Sequence, residues 1–320
     1  MKTLNLTDGL TVSAIGYGAM VLVDGMYGRA DHDRSLATLG HAIDAGATFI
    51  DTADAYGMGA NEELVGRAIA GRRDAVQLAT KWGIVADGGR PVRHHHEQDI
   101  LMDARPERAR EAAEASLRRL GVDVIDLWYL HFPDPGVPIE ESVGAMAELV
   151  RAGKVRHLGV CNVTSEQLLA AQQAHPISAV QVEYSLWTRE PEVQLLPTVR
   201  ELGAGLVAWS PLGAGFFAGS ADTIGDDFRQ HSARFSAENL AANRDRYAPL
   251  RGLAAELDLT PAQLALAWLL AKGAVPIPGT RTPAHLDENL AAADVELSAE
   301  TLARVDELAP AGAAAGASLL

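Results

Sequence analysis

Four residues in the first half of the chain could together move a proton onto an oxygen: Asp51, Tyr56, Lys81 and His131. Three of them close short apolar runs, TFID, VQLATK and VIDLWYLH, and Tyr56 follows Asp51 within TADAYG. A phenol with a pKa of about 10 is too weak an acid to protonate a developing alkoxide efficiently at neutral pH. A neighbouring ammonium favours the phenolate and lowers that value. Lys81 could supply it, and Asp51 could hold Lys81 charged and aimed through a buried ion pair. His131 could then hydrogen-bond the same substrate oxygen, orienting or polarising it. Any one of these is an ordinary loop-facing polar residue by itself; three at successive strand ends, with Tyr56 just beyond the first, together point to a site. The set holds no electron source.

The polar positions continue along the chain. Cys161 and Asn162 close KVRHLGV, Gln181 and Glu183 lie in AVQVEY, Trp209 and Ser210 close GLVAWS, and Gly279, Thr280 and Arg281 close AVPIP. What must position them is an alternation of strand-like runs with amphipathic helices, expected near residues 33–45, 61–70, 106–120, 141–152, 165–174, 192–202, 240–257, 261–271, 283–292 and 299–308. Before the first unit, LNLTDGLTV has an Asp8-Gly9 turn between alternating apolar residues and reads as a β-hairpin over 1–13. Strands separated by helices pair in parallel through right-handed crossovers. Eight such units, about 250 residues, make a (β/α)8 TIM barrel with its chemistry at the C-terminal ends of the strands.

The expectation is therefore one α/β domain over 1–320: a barrel, an N-terminal hairpin, an extra C-terminal helix and an Ala/Gly-rich tail at 310–320 that frays. An open doubly wound sheet would need a G-x-G-x-x-G fingerprint in its first turn. Here that turn runs GYGAMV without the third glycine, and Gly213, Gly215 and Gly219 have the wrong spacing after the wrong strand.

Composition excludes other classes. The chain has 320 residues, 48% hydrophobic and 22% charged, as in an ordinary soluble protein. Its 27 Lys plus Arg against 42 Asp plus Glu give a formal charge of −15, which speaks against a nucleic-acid partner. One cysteine allows no internal disulfide and fits a reducing cytoplasm. No signal-peptide core or membrane-length apolar stretch is evident, so a cytoplasmic protein without a membrane partner is expected.

The blocks FIDTADAYG, NEELVGRAI, LATKWG, DLWYLHFPDP, GKVRHLGVCN, VQVEYSLWTRE, WSPLGAG and PIPGTRTPAHLDEN resemble the aldo-keto reductase family, in order and along almost the whole chain. The similarity is greatest to its perakine-reductase-like and pyridoxal-reductase-like branch. The resemblance implies a catalytic tetrad of Asp51, Tyr56, Lys81 and His131, with Tyr56 protonating the carbonyl oxygen of a small-molecule substrate. It implies that Asn162 and Gln181 hold a nicotinamide carboxamide and that the ring stacks on Trp209. Ser210, Pro211, Leu212, Gly213 and Gly215 would line the pyrophosphate, and Gly279, Thr280, Arg281, His285, Glu288 and Asn289 the adenosine end. A guanidinium beside a 2′-phosphate pairs with it through parallel hydrogen bonds, so NADPH is favoured over NADH.

The sequence departs from the family at two of these positions. Cys161 stands where many relatives have Ser, replacing a strong hydroxyl partner by a weak one. His285 stands where better-known members have Arg and contributes less charge at pH 7.

Tyr27, Trp82, Phe132 and Trp187 are aromatic candidates for the pocket wall, each equally at home in plain packing. The tract His94, His95, His96, Glu97 is expected to be a solvated loop after strand three rather than a metal site, since three adjacent histidines cannot face one ion. The irregular run 213–239 is expected to close over a bound dinucleotide.

Two other functions remain open at this level. One is a cofactor-binding regulatory protein of the same fold, like the potassium-channel beta subunits. The other is a barrel enzyme with Lys81 as a Schiff-base nucleophile, which would need a neutral lysine.

Overall fold

The computed structural model describes residues 1–7, 9–25, 27–95, 98–220, 224–225 and 227–318, without the side chains of 93–95 and 98. In chain order the strands are β1 (Thr3–Thr7), β2 (Leu10–Ser13), β3 (Tyr17–Gly18), β4 (Phe49–Asp51), β5 (Gln77–Trp82), β6 (Ile84–Val85), β7 (Arg90–His95), β8 (Gln98–Met102), β9 (Ile125–Leu130), β10 (Val155–Cys161), β11 (Ala179–Glu183), β12 (Gly205–Trp209) and β13 (Ala274–Pro276). The helices are α1 (His32–Asp44), α2 (Ala60–Ile69), α3 (Pro106–Leu120), α4 (Ile139–Arg151), α5 (Ser165–Ala174), α6 (Leu195–Glu201), α7 (Ala237–Glu256), α8 (Pro261–Ala271), α9 (Pro283–Ala291) and α10 (Ala299–Leu308).

Eight strands pair in parallel in the order β3, β4, β5, β9, β10, β11, β12, β13. The ring closes where Gly16 N donates to Pro276 O at 2.9 Å and Gly18 N to Pro278 O at 3.4 Å. Glycine is required at this seam: a Cβ on Gly18 would lie 2.6 Å from Ile277 O, and one on Gly279 2.6 Å from Gly18 O. The (β/α)8 barrel expected from the alternation is what forms. Threonine caps with reciprocal glutamines start two of its helices, Thr164 with Gln167 on α5 and Thr260 with Gln263 on α8.

The hairpin β1–β2 pairs Thr3 with Ser13 and Leu4 with Val12. Its turn includes Asp8, which lies outside the described residues. Leu6, Leu10 and Val12 pack with Phe49, Leu127, Val207 and Val275, the inward-facing residues of the barrel strands. Apolar side chains thus fill the barrel's N-terminal end and leave its C-terminal end to the polar residues.

Two segments differ from expectation. The segment after β5, where the His94–Glu97 tract is expected to be a solvated loop, forms in its described residues a small antiparallel sheet of order β6, β8, β7. Its anchor is Asp134, with no exposed side-chain surface, which accepts from both Arg90 Nη1 and Ala104 N. His96 and Glu97 lie outside the described residues. The Ala/Gly-rich end, expected to fray, is hydrogen-bonded through Ala315 and Gly316 to Asn243 and Arg234. Among the described residues no single helix is long and apolar enough to cross a membrane.

Candidate active site

Strand parity brings the site together. Asp51 ends β4, Lys81 lies one residue before the end of β5, and His131 follows β9, held by its N–H to Trp82 O at 3.0 Å. Lys81 is 1% exposed. Its Nζ donates to Asp51 Oδ1 at 2.5 Å, Thr52 O at 2.9 Å and Tyr56 OH at 3.2 Å. The ammonium also lies 4.9 Å from the centre of the Tyr56 ring. Burial works against its charge, but the Asp51 carboxylate and then Tyr56 outweigh it and hold the lysine above its ordinary pKa.

The phenol behaves differently from expectation. Lys81 does pull the Tyr56 pKa down, yet burial is the larger influence and the net shift is upward. Tyr56 therefore keeps its proton through the neutral range, with the ammonium poised to stabilise the phenolate if the proton leaves. His131 goes the other way: burial, then Lys81, push its imidazole well below the usual histidine range, so it is neutral. Its ring stacks on Phe132 at 5.4 Å and meets Tyr56 edge-on at 5.9 Å. Its Nδ1 is buried without a partner.

Around this group the sequence-predicted neighbours fall into three sets. Asn162, in the left-handed region at φ 56, donates from Nδ2 to His131 O at 3.1 Å and accepts from Trp209 Nε1 at 3.1 Å. Gln181 is buried and donates to Asp51 Oδ2 at 2.8 Å, so one amide hydrogen belongs to the tetrad carboxylate. Trp209 remains half-buried at the end of β12. Beyond it, Ser210, Gly213, Ala214 and Gly215 all have positive φ, and Ser210 Oγ accepts from Ala214 N at 2.9 Å, so the chain turns tightly through Pro211 and Leu212.

The third set lies where β13 leaves the barrel. Thr280 O accepts from Tyr17 OH at 2.5 Å. The Arg281 guanidinium donates from Nε to Val21 O and from Nη1 to Arg29 O, while Nη2 is buried without a partner. Arg34, from the first turn of α1, reaches Thr282 Oγ1 at 3.3 Å. The sequence reading missed Arg34, which only the packing of α1 beside α9 brings close. On α9, His285 is exposed, Glu288 half-buried and Asn289 buried.

Of the aromatic candidates, Tyr27 and Phe132 flank the mouth and Trp82 does not. Lys81 points into the barrel, so its neighbour Trp82 points out, 1% exposed and stacked on Trp128 at 5.3 Å between strands and helices. Tyr27 meets Phe228 edge-on at 5.1 Å and lies under the Arg229 guanidinium, joining the loop after β3 to the long excursion after β12. Trp187 is buried among Phe216, Phe217 and Phe235 of that excursion. Cys161 is a buried free thiol whose pKa burial raises well above the usual value.

This arrangement can donate a proton to an oxygen at the C-terminal end of the barrel strands, the same end that carries the tight turn after β12 and the Arg281 guanidinium after β13. Residues 14–310 match the model of the aldo/keto reductase family. A probable aldo-keto reductase 1 of Glycine max is 42% identical over 317 residues, 97% of this chain and 89% of the relative. An aldo/keto reductase from Klebsiella pneumoniae, solved with NADP and acetate, superimposes with a TM-score of 0.73 at 32% identity, covering 97% of this chain and 96% of that one. A glycerol dehydrogenase from Gluconobacter oxydans gives a TM-score of 0.85 at 29% identity, over 96% and 94% of the two chains.

Proposed function

The chain belongs to the aldo/keto reductase family, and from that premise we propose that it reduces aldehydes or ketones to alcohols with NADPH, Tyr56 giving the proton. The observation that carries this reading is the lysine ammonium bonded at once to Asp51 and to the Tyr56 oxygen. A phenol that holds its proton until a stronger base appears, next to a fixed cation, suits protonation of an alkoxide as it forms. Neutral His131, with its proton on Nε2, would donate to the same oxygen.

The residues present fit a phosphorylated dinucleotide. Arg281 keeps a buried Nη2 without an acceptor, which is a donor prepared for an anion. Asn162 and Gln181 would hold the carboxamide, Trp209 the ring, the Ser210–Gly215 turn the pyrophosphate, and Arg281 with Arg34 the terminal phosphate. When bound, NADPH supplies the hydride that reduces the carbonyl carbon.

Tyr56→Phe tests the assignment. Turnover in an NADPH-oxidation assay with a panel of aldehydes and ketones is expected to fall about 100- to 10,000-fold. The Kd for NADPH should move less than about twofold, because the phenol acts in the transition state rather than in cofactor capture. Full turnover in the variant would end this reading.

A further inference from the structure

The Arg281 guanidinium does more than edge the end of β13. Its backbone is fixed from two sides: Thr38 Oγ1 of α1 donates to Arg281 O at 3.2 Å, and Tyr17 OH of β3 to the preceding Thr280 O at 2.5 Å. Thr38 and Tyr17 have no exposed surface. From that base the guanidinium reaches across to the loop between β3 and α1 and grips it at both ends, Nε on Val21 O and Nη1 on Arg29 O at 2.7 Å.

Between these grips the loop closes on itself. Gly25 and Gly28, both with positive φ, exchange backbone hydrogen bonds at 3.2 and 3.0 Å, and Asp24 Oδ1 accepts from Ala30 N at 2.6 Å. The turn so formed carries Tyr27, whose ring meets Phe228 edge-on at 5.1 Å and lies under Arg229. The internal bonds make the loop a unit, and the two guanidinium bonds tie that unit to the end of β13. The remaining nitrogen, Nη2, is buried without a partner. A guanidinium is a rigid plane, so an anion that fixes Nη2 fixes the directions of Nε and Nη1 with it.

We propose that Arg281 is a positioning residue for the Tyr27 loop as well as a phosphate anchor: an anion on Nη2 firms the guanidinium and, through Val21 and Arg29, the wall that Tyr27 gives the substrate. The inference rests on the reading that places the cofactor's terminal phosphate at Arg281 and Tyr27 in the pocket wall. Such coupling is reciprocal, so whatever the phosphate adds to the hold on the substrate, the substrate adds to the hold on the phosphate. NADPH and NADH differ at that phosphate alone. They should therefore differ in the affinity they leave for the carbonyl compound, although the phosphate is at the opposite end of the cofactor from the reacting carbon.

Amide hydrogen exchange over residues 21–31 reads the loop without turnover, since the amides of Gly25, Gly28 and Ala30 are the ones its bonds protect. In the unaltered protein, saturating 2′,5′-ADP, which carries the extra phosphate, should slow exchange there about fivefold, and 5′-AMP should not. That comparison needs no variant. Arg281→Lys keeps the charge but loses the fork that spans two carbonyls. Its loop should exchange about fivefold faster in the ligand-free protein, with the β1–β2 hairpin unchanged, and 2′,5′-ADP should not slow it. With turnover, the KM for an aldehyde at saturating cofactor should be about fivefold lower with NADPH than with NADH, and equal in Arg281→Lys, while kcat changes less than twofold. Unchanged exchange in the free variant, equal protection by 2′,5′-ADP in both proteins, or a KM indifferent to the phosphate in the unaltered protein would each overturn the proposal. If calorimetry shows that 2′,5′-ADP does not bind, the coupling falls together with the cofactor assignment, and exchange in the free proteins still decides the positioning role. Should no carbonyl compound be reduced, the functional reading fails while hydrogen exchange still decides what Arg281 does to the loop.

Discussion

Arg281 and Lys81 are both cations tied to the protein, but only one is complete. Lys81 directs three hydrogen bonds to Asp51, Thr52 and Tyr56, whereas Arg281 satisfies Nε and Nη1 on backbone carbonyls and leaves Nη2 buried and unmet. Charge-assisted hydrogen bonds contribute about 1.5–3 kcal/mol each. Arg281→Ala should therefore weaken NADPH binding about tenfold or more and change NADH binding about twofold at most, as read by tryptophan-fluorescence titration. Equal loss for both cofactors would mean that Arg281 does not sense the extra phosphate. At this scale the tetrad positions were legible because each ends or follows an apolar run. The Gln181–Asp51 bond was not, since it crosses the barrel between residues 130 apart. Trp82 was legible in principle, because a strand that points Lys81 inward must point its neighbour outward.

Among the elements, the described part of the excursion after β12 is tied down by tertiary hydrogen bonds. Arg229 fastens it inside, donating to Ala214 O, Ser220 O and Asp227, while Arg234 reaches Thr188 Oγ1 at 2.6 Å and Gly316 O at 3.3 Å. Asn243 on α7 exchanges two hydrogen bonds with Ala315, at 3.0 and 2.8 Å. The tail can approach this closely because it is small: a Cβ on Gly316 would lie 2.8 Å from Arg234 N. Asn243→Ala should lower stability by about 1–3 kcal/mol and speed tryptic cleavage at Arg229 and Arg234. NADPH should slow that cleavage in both proteins if the excursion covers the dinucleotide; equal rates with and without cofactor would refute the covering role. Helix positions were legible from the alternation of strand-like and helical runs, as α5 and α8 show. The β6–β8–β7 sheet was not, because its fixed point, Asp134, lies 44 residues from the Arg90 it binds.

For the whole molecule, the charge of −15 and the six tyrosines set a sharp alkaline limit. Tyr17, Tyr27, Tyr56, Tyr129, Tyr184 and Tyr247 are all raised above the ordinary phenol value, with burial the largest cause each time. A group whose folded pKa is raised binds its proton more tightly in the folded chain, so its contribution is fully present below about pH 10 and is lost as pH rises beyond it. Each phenol that the fold keeps protonated then costs up to about 1.4 kcal/mol per pH unit, to be set against the 5–15 kcal/mol that holds a typical fold. Repulsion within an already acidic chain acts in the same direction. Tyrosinate absorbance at 295 nm should therefore stay flat past pH 10 and then rise in one cooperative step, coincident with loss of the helical circular dichroism. A gradual rise from pH 9 with the helices intact would show that the phenols are accessible and that the barrel does not hold them as tightly as their burial indicates.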